Sequence, residues 1–224
     1  MPATPELLAL ARAAASKHAL DFTFSVSGAT YDASALVCAV VEQESAWDAH
    51  AIRYEPGFRT RYVAPLGLPS TEEVARSISW GLMQVMGQVA REHGFTRKFL
   101  SALCEPAAGL DIGCAVLAAK ISAALAAGAG NQQQIPRSAR DDSSPGIGFS
   151  VEAQGFSPAI NDGPVVPTLL PQALAQDAGP KREKMEGQGI PLGEAHIARA
   201  LEFWNGGANP DYAAQVLARL SHYK

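Results

Sequence analysis

The sequence has no basic excess: 18 Lys and Arg against 22 Asp and Glu leave its 224 residues with a formal charge of −4 and a pI near 5.7. Its Lys and Arg residues form no long stripe, so nucleic acid is excluded as a partner. Cysteine is scarce. Cys38, Cys104 and Cys114 cannot all pair within one chain, their spacing fits no zinc pattern, and no histidine stands nearby at ligand spacing, so neither a metal nor a cofactor is expected. The three thiols read as small buried apolar residues, with a Cys104 to Cys114 bridge as the alternative. No Gly-rich phosphate cradle follows a strand, which leaves nucleotide binding without support.

Long apolar runs are missing too. No uninterrupted apolar stretch of about 18 residues occurs, so no membrane-spanning helix is expected. Met1 to Leu10 has no basic n-region, and Arg12 and Lys17 soon break the apolar stretch that follows, so the start does not read as a signal peptide. A chain of this length buries one good core, and a single monomeric domain is the expectation.

What is present is helical periodicity. Leu7, Leu8, Leu10, Ala11, Ala14 and Ala15 recur at helix spacing over Leu7 to His18. A second helix spans Tyr31 to Trp47, with Asp32 or Ser34 as N-cap and Leu36, Val37, Val40 and Val41 buried. Gly81 to His93, Pro106 to Leu125, Gly193 to Trp204 and Pro210 to Leu220 supply four more. The passage from Trp47 to Ser79 has Pro65, Pro69 and no steady period, and reads as loop with short helical or strand pieces. Its Arg53, Arg59 and Arg61 stand among Tyr54, Phe58 and Tyr62, a mixture that suits an acidic carbohydrate or, equally, a solvated loop held by Arg to Glu pairs. Residues 126–193 hold eight of the fifteen prolines and half of the twenty glycines without a Trp or Tyr. That composition predicts a disordered or extended insertion, the alternative being a small accessory module that binds a partner or a polymer. The fold expected is mainly α: one helical domain from 1–125 and 194–224, interrupted by the insertion.

Chemistry concentrates in three short runs. Val40-Val41-Glu42-Gln43-Glu44-Ser45-Ala46-Trp47 places a carboxyl group at the end of an apolar segment and beside an indole. Burial there penalises the charged form, so Glu44 can hold a proton near neutrality and serve as a general acid. Glu42 lies about 200° around the helix from Glu44, so only one of the two can face a cleft. Downstream come Ser79-Trp80-Gly81-Leu82-Met83-Gln84 and Leu201-Glu202-Phe203-Trp204-Asn205-Gly206-Gly207.

The order Glu-Ser, Gly-Leu-Met-Gln, aromatic-Asn-Gly resembles the soluble lytic transglycosylases, lysozyme-like enzymes of α+β descent that cleave the glycan strands of bacterial peptidoglycan. The resemblance covers roughly residues 30 to 125 and 194 to 224. It implies that Glu44 protonates the oxygen between N-acetylmuramic acid and N-acetylglucosamine. The same residue then deprotonates the muramic acid C6 hydroxyl, which closes a 1,6-anhydro ring without water. It further implies a substrate-binding set of Ser45, Gly81, Met83, Gln84, Trp204, Asn205 and Tyr212. Met83 could equally be core, and Tyr212 could equally be packing. The family usually carries Tyr where this chain has Trp204, which removes a phenolic hydroxyl from the site.

A hydrolytic lysozyme would use the same Glu44 with a second carboxylate, for which Asp48, one turn further along if the helix persists, and Glu55 are the candidates. A wall-binding or virion structural protein that keeps the cleft without turnover is the reading from another class, and intact Glu44, Gln84 and Asn205 argue against it. Action on the cell wall would call for release by lysis, carriage in a phage particle, or secretion.

Overall fold

A computed structural model describes residues 3–130, 192–207 and 209–224, all within a compact unit assembled from Met1–Ile135 and Gly189–Lys224. The Pro/Gly-rich insertion expected at 126–193 falls largely outside the described residues. Its two expected edges are folded: one continues a helix to Gly130 and the other forms a short strand.

Helix α1 (Pro5–Lys17) starts where the Thr4 hydroxyl accepts from the Leu7 N–H and Pro5 takes the first turn, a position where proline loses nothing. Strands β1 (Thr23–Val26) and β2 (Ala29–Asp32) follow as an antiparallel hairpin, Val26 opposite Ala29. Its two-residue turn, Ser27-Gly28, has φ of 50° and 82°, the positive pair that a tight hairpin requires. Periodicity gave no hint of this hairpin, because four-residue strands are too short to declare a period.

Helix α2 (Ala33–Ser45) is consequently shorter than expected: Tyr31 and Asp32 belong to β2, and Ala46 leaves the helix with φ 49°. Its run from Leu36 to Val41 is wholly buried. After it come β3 (Ile52–Tyr54), the single turn α3 (Pro56–Phe58), further turns to Leu66, α4 (Ser70–Arg76), β4 (Ile78–Trp80) and β5 (Val85–Met86). The three strands form an antiparallel sheet, with Arg53 opposite Ser79 and Trp80 opposite Val85. The helix expected over Gly81 to His93 is therefore corrected. Its first half is the β4–β5 turn, where Gly81 and Gln84 take φ of 68° and 46°, and only α5 (Gly87–Glu92) is helical.

Helix α6 (Pro106–Gly130) is the central element. By length and composition its Pro106–Ala127 stretch could cross a membrane, which the sequence reading did not expect. In this fold its Leu110, Cys114, Val116, Leu117, Ile121 and Ala124 are buried in the core, and its polar interruption, Asp111, receives the Lys17 ammonium at 2.8 Å and faces the His18 ring at 2.6 Å. Strand β6 (Leu192–Gly193) then pairs parallel to β1, and α7 (Glu194–Asn205) and α8 (Tyr212–Arg219) close the bundle, followed by the tight turn Leu220–Tyr223. All three cysteines are free, which removes the Cys104 to Cys114 bridge. Burial pushes the Cys38 and Cys114 thiols up to about 11 and about 12.

One half-buried ion network braces the loop that leads into α6. Glu72 accepts from Arg76 at 2.8 Å and from Arg91 at 2.9 Å. Arg91 also donates to the carbonyls of Phe95, Arg97 and Lys98. Arg91→Met is expected to cost about 1–2 kcal/mol in a thermal melt, since it removes the bonds to three carbonyls and one of the two arginines on Glu72. A loss below about 0.5 kcal/mol would mean that water replaces these bonds freely.

Candidate active site

Glu44 is the next-to-last residue of α2, so its carboxyl stands at the negative end of the helix dipole, and its side chain is half-buried. Two donors from the last helices reach it. The Tyr212 hydroxyl lies 2.6 Å from Glu44 Oε1 and the Trp204 indole N–H 2.9 Å from the same oxygen. Among the described residues Oε2 takes no hydrogen bond. A proton on this carboxyl therefore belongs on Oε2, since Oε1 is committed as an acceptor twice.

Burial raises the Glu44 carboxyl above the ordinary carboxylate range, against the opposing pull of Tyr212, Trp204 and the Arg53 guanidinium. The resemblance also implies that Tyr212 borders Glu44 and can hydrogen-bond it; the Trp204 bond to the same oxygen was not expected. Trp204 is the telling case: where the resemblance implies a tyrosine, the indole brings its own donor, so losing a phenol does not leave the carboxyl short of a bond. In the sequence Arg53 is marked only as one of three arginines among Tyr54, Phe58 and Tyr62. It stands on β3, two residues beyond Ala51, whose carbonyl receives both the Gly81 N–H at 2.8 Å and the Gln84 amide at 2.8 Å.

The glycine-led run packs largely inward. Met83 is fully buried and lies against Gly113 of α6, where an added Cβ would sit 2.2 Å from its sulfur. Gly81 is also buried, and the backbone that approaches it is the protein's own Leu103 carbonyl. The Gln84 amide donates to the Ala51 and Gly81 carbonyls and accepts from the Ser79 hydroxyl at 2.9 Å. That internal use leaves it holding the hairpin in shape. Ser45 donates to the Val41 carbonyl at 3.1 Å and the Leu82 carbonyl at 2.9 Å, joining the end of α2 to the hairpin. Asn205 donates to the Asn209 carbonyl at 3.0 Å, which shapes the turn between α7 and α8.

The two candidates for a second carboxylate each have another partner. Asp48 cannot share a helical face with Glu44, because the helix ends at Ser45 and both Ala46 and Trp47 turn left-handed. Its carboxylate instead caps the His50 N–H at 2.9 Å. Glu55 is paired with Arg53 at 2.5 Å. Among the described residues no group of His, Cys, Asp and Glu could hold a metal ion. A surface cavity of about 480 Å³ between α1 and the start of α6 lies apart from these groups. Convergence of three elements on one carboxyl, rather than cavity size, marks the candidate site.

A mainly helical, lysozyme-like fold with a half-buried glutamic acid under two donors defines a class of glycan-cleaving proteins. The family model described as Transglycosylase SLT domain matches residues 24–134, so the chain carries a domain of the soluble lytic transglycosylase family, which acts on the peptidoglycan of the cell wall. Comparison with curated proteins and with solved structures returned no match. Glu44, Ser45, Gly81, Met83 and Gln84 fall inside the matched stretch. Trp204, Asn205 and Tyr212 fall outside it, and of these Trp204 and Tyr212 reach Glu44 through the fold.

Proposed function

We propose that the protein is a peptidoglycan lytic transglycosylase that cleaves the bond between N-acetylmuramic acid and N-acetylglucosamine without water, with Glu44 as acid and then base. The observation that carries this reading is the single carboxyl with a raised pKa and both donors on one oxygen. In the first step the Oε2 proton passes to the glycosidic oxygen, the C1–O bond breaks with its electron pair on the leaving sugar, and the substrate's acetamido oxygen attacks C1. In the second, the Glu44 carboxylate takes the proton of the C6 hydroxyl while O6 attacks C1, and the acetamido oxygen leaves. The proton inventory of Glu44 closes after each turnover.

Retaining one carboxyl for both transfers suits a group whose proton affinity is balanced between the two roles. Burial raises it while Tyr212 and Trp204 restrain the rise. Tyr212→Phe removes the shorter of the two bonds. It is expected to lower kcat about tenfold and to move the alkaline limb of the pH profile upward, because the ionised form loses a charge-assisted hydrogen bond. A downward movement of that limb would show that the hydroxyl acts otherwise.

Digestion in water carrying heavy oxygen tests the non-hydrolytic step. Products free of the label support ring closure by the C6 hydroxyl, whereas one labelled oxygen per cleavage would make this a lysozyme.

The domain arrangement follows the same reading: residues 1–125 and 194–224 act as one catalytic domain, with 126–193 as an insertion between its halves. The protein acts on the wall as a monomer.

A further inference from the structure

The back of α2 carries a second set of short hydrogen bonds. Glu42 points away from Glu44 and accepts the Tyr223 hydroxyl at 2.6 Å. That hydroxyl in turn accepts the Trp47 indole N–H at 2.8 Å. His222 Nδ1 lies 3.0 Å from the same Glu42 oxygen and Arg219 Nε 3.8 Å from the other. One phenol thus spans residues 42 and 47, the two sides of Glu44.

What it spans is strained. Ala46 and Trp47 are consecutive non-glycine residues with φ of 49° and 65°, a region that costs roughly 1–2 kcal/mol per residue for an L side chain. Such strain persists only where the surroundings over-determine it. Trp47 is 2% exposed, its ring packs 6.0 Å from that of Tyr223, and its indole N–H has the Tyr223 oxygen as acceptor. Ser45, immediately after Glu44, is bonded forward to the Leu82 carbonyl. The end of α2 is therefore gripped at 42, 45 and 47, and Glu44 is the residue in the middle.

We infer that Tyr223 is a positioning residue for Glu44: by tying Glu42 to Trp47 across the left-handed turn, its hydroxyl keeps the Glu44 carboxyl seated under Tyr212 and Trp204. It touches neither the carboxyl nor substrate, and it acts through the helix end. This rests on the reading of Glu44 as the acid and base. Loss of the hydroxyl lets the turn relax toward ordinary φ values and carries Glu44 Oε1 away from its donors, so chemistry suffers and glycan binding does not.

The test uses the full chain with Tyr223→Phe, and with Trp47→Phe as an independent cut in the same chain of bonds. Release from purified glycan strands is followed against substrate concentration, together with the indole N–H resonances of the three tryptophans. Tyr223→Phe is expected to lower kcat about tenfold with KM within about twofold. It should also shift the Trp204 indole resonance, although nothing next to Trp204 has changed. Trp47→Phe should lower kcat and shift the Trp204 resonance in the same direction. Glu42→Gln, whose amide oxygen still accepts the phenol, should keep most of kcat. Wild-type kcat with an unmoved Trp204 resonance in Tyr223→Phe would overturn the inference, as would a loss borne entirely by KM. Retained activity in Glu44→Gln would instead overturn the reading of the acid itself, whatever Tyr223→Phe does.

Discussion

Glu44→Gln is expected to lose about 10²–10⁴-fold in the rate of peptidoglycan cleavage while still binding the polymer. The substitution is clean because the amide oxygen can take the place of Oε1 and keep accepting from Tyr212 and Trp204. Only the acidic O–H at the other position is exchanged for an amide that cannot release its proton. Stability should change in the opposite sense. The carboxyl is raised above its ordinary value of 4.5 by burial, so in the window above about 4.5 the folded state holds a proton that the unfolded state has already released. Stability then falls as pH rises through that window and levels off once Glu44 has ionised in the folded state. The Gln protein lacks this slope and should melt higher than wild type at neutral pH, with the difference closing in acid. Unchanged clearing of purified wall would remove Glu44 from the mechanism. Parallel melting profiles across pH would remove the raised carboxyl.

Gly81→Ala is expected to destabilise the fold by at least about 3 kcal/mol, or roughly 6–12 °C in melting temperature for a chain of this length. Two costs coincide at one atom. The backbone at Gly81 has φ 68°, which charges an L residue about 1 kcal/mol or more. The new Cβ would also stand 2.3 Å from the Leu103 carbonyl oxygen, a backbone group that no rotamer change can move. Activity should fall along with stability, since the Gly81 N–H holds Ala51 and the neighbouring Leu82 carbonyl holds Ser45 beside Glu44. Gly57→Ala is the control. Its position has ordinary φ and open space around it, and its melting temperature should stay within about 1 °C of wild type. A Gly81→Ala protein with equal stability would mean that the Leu103 turn yields cheaply.

The sequence and the structure meet most closely where one physical signal suffices. A carboxyl after an apolar helical run reads as a proton donor from sequence alone, and burial at the end of α2 raises it as that setting demands. The run Gly81 to Gln84 has a structural use that its residue types do not announce. Its amide and thioether suggest a lining for sugars, but at a four-residue turn with two left-handed residues the backbone groups themselves need partners, and Gln84 supplies them from inside. Asp48 failed for a related reason, because a helical-face argument presumes a helix that Ala46 and Trp47 end. The β1–β2 hairpin was hidden by its brevity. Tyr223 was invisible for a third reason: nothing in a Leu-Ser-His-Tyr run indicates that its last hydroxyl will meet residues 42 and 47 across some 180 positions of chain.

Mass spectrometry of the muropeptides released from purified peptidoglycan by the wild-type protein and by Glu44→Gln tests the mechanism most directly. Transglycosylation through Glu44 predicts fragments lighter by one water than reducing-end muropeptides, formed by the wild type and absent with the variant. Reducing-end fragments from the wild type would contradict it.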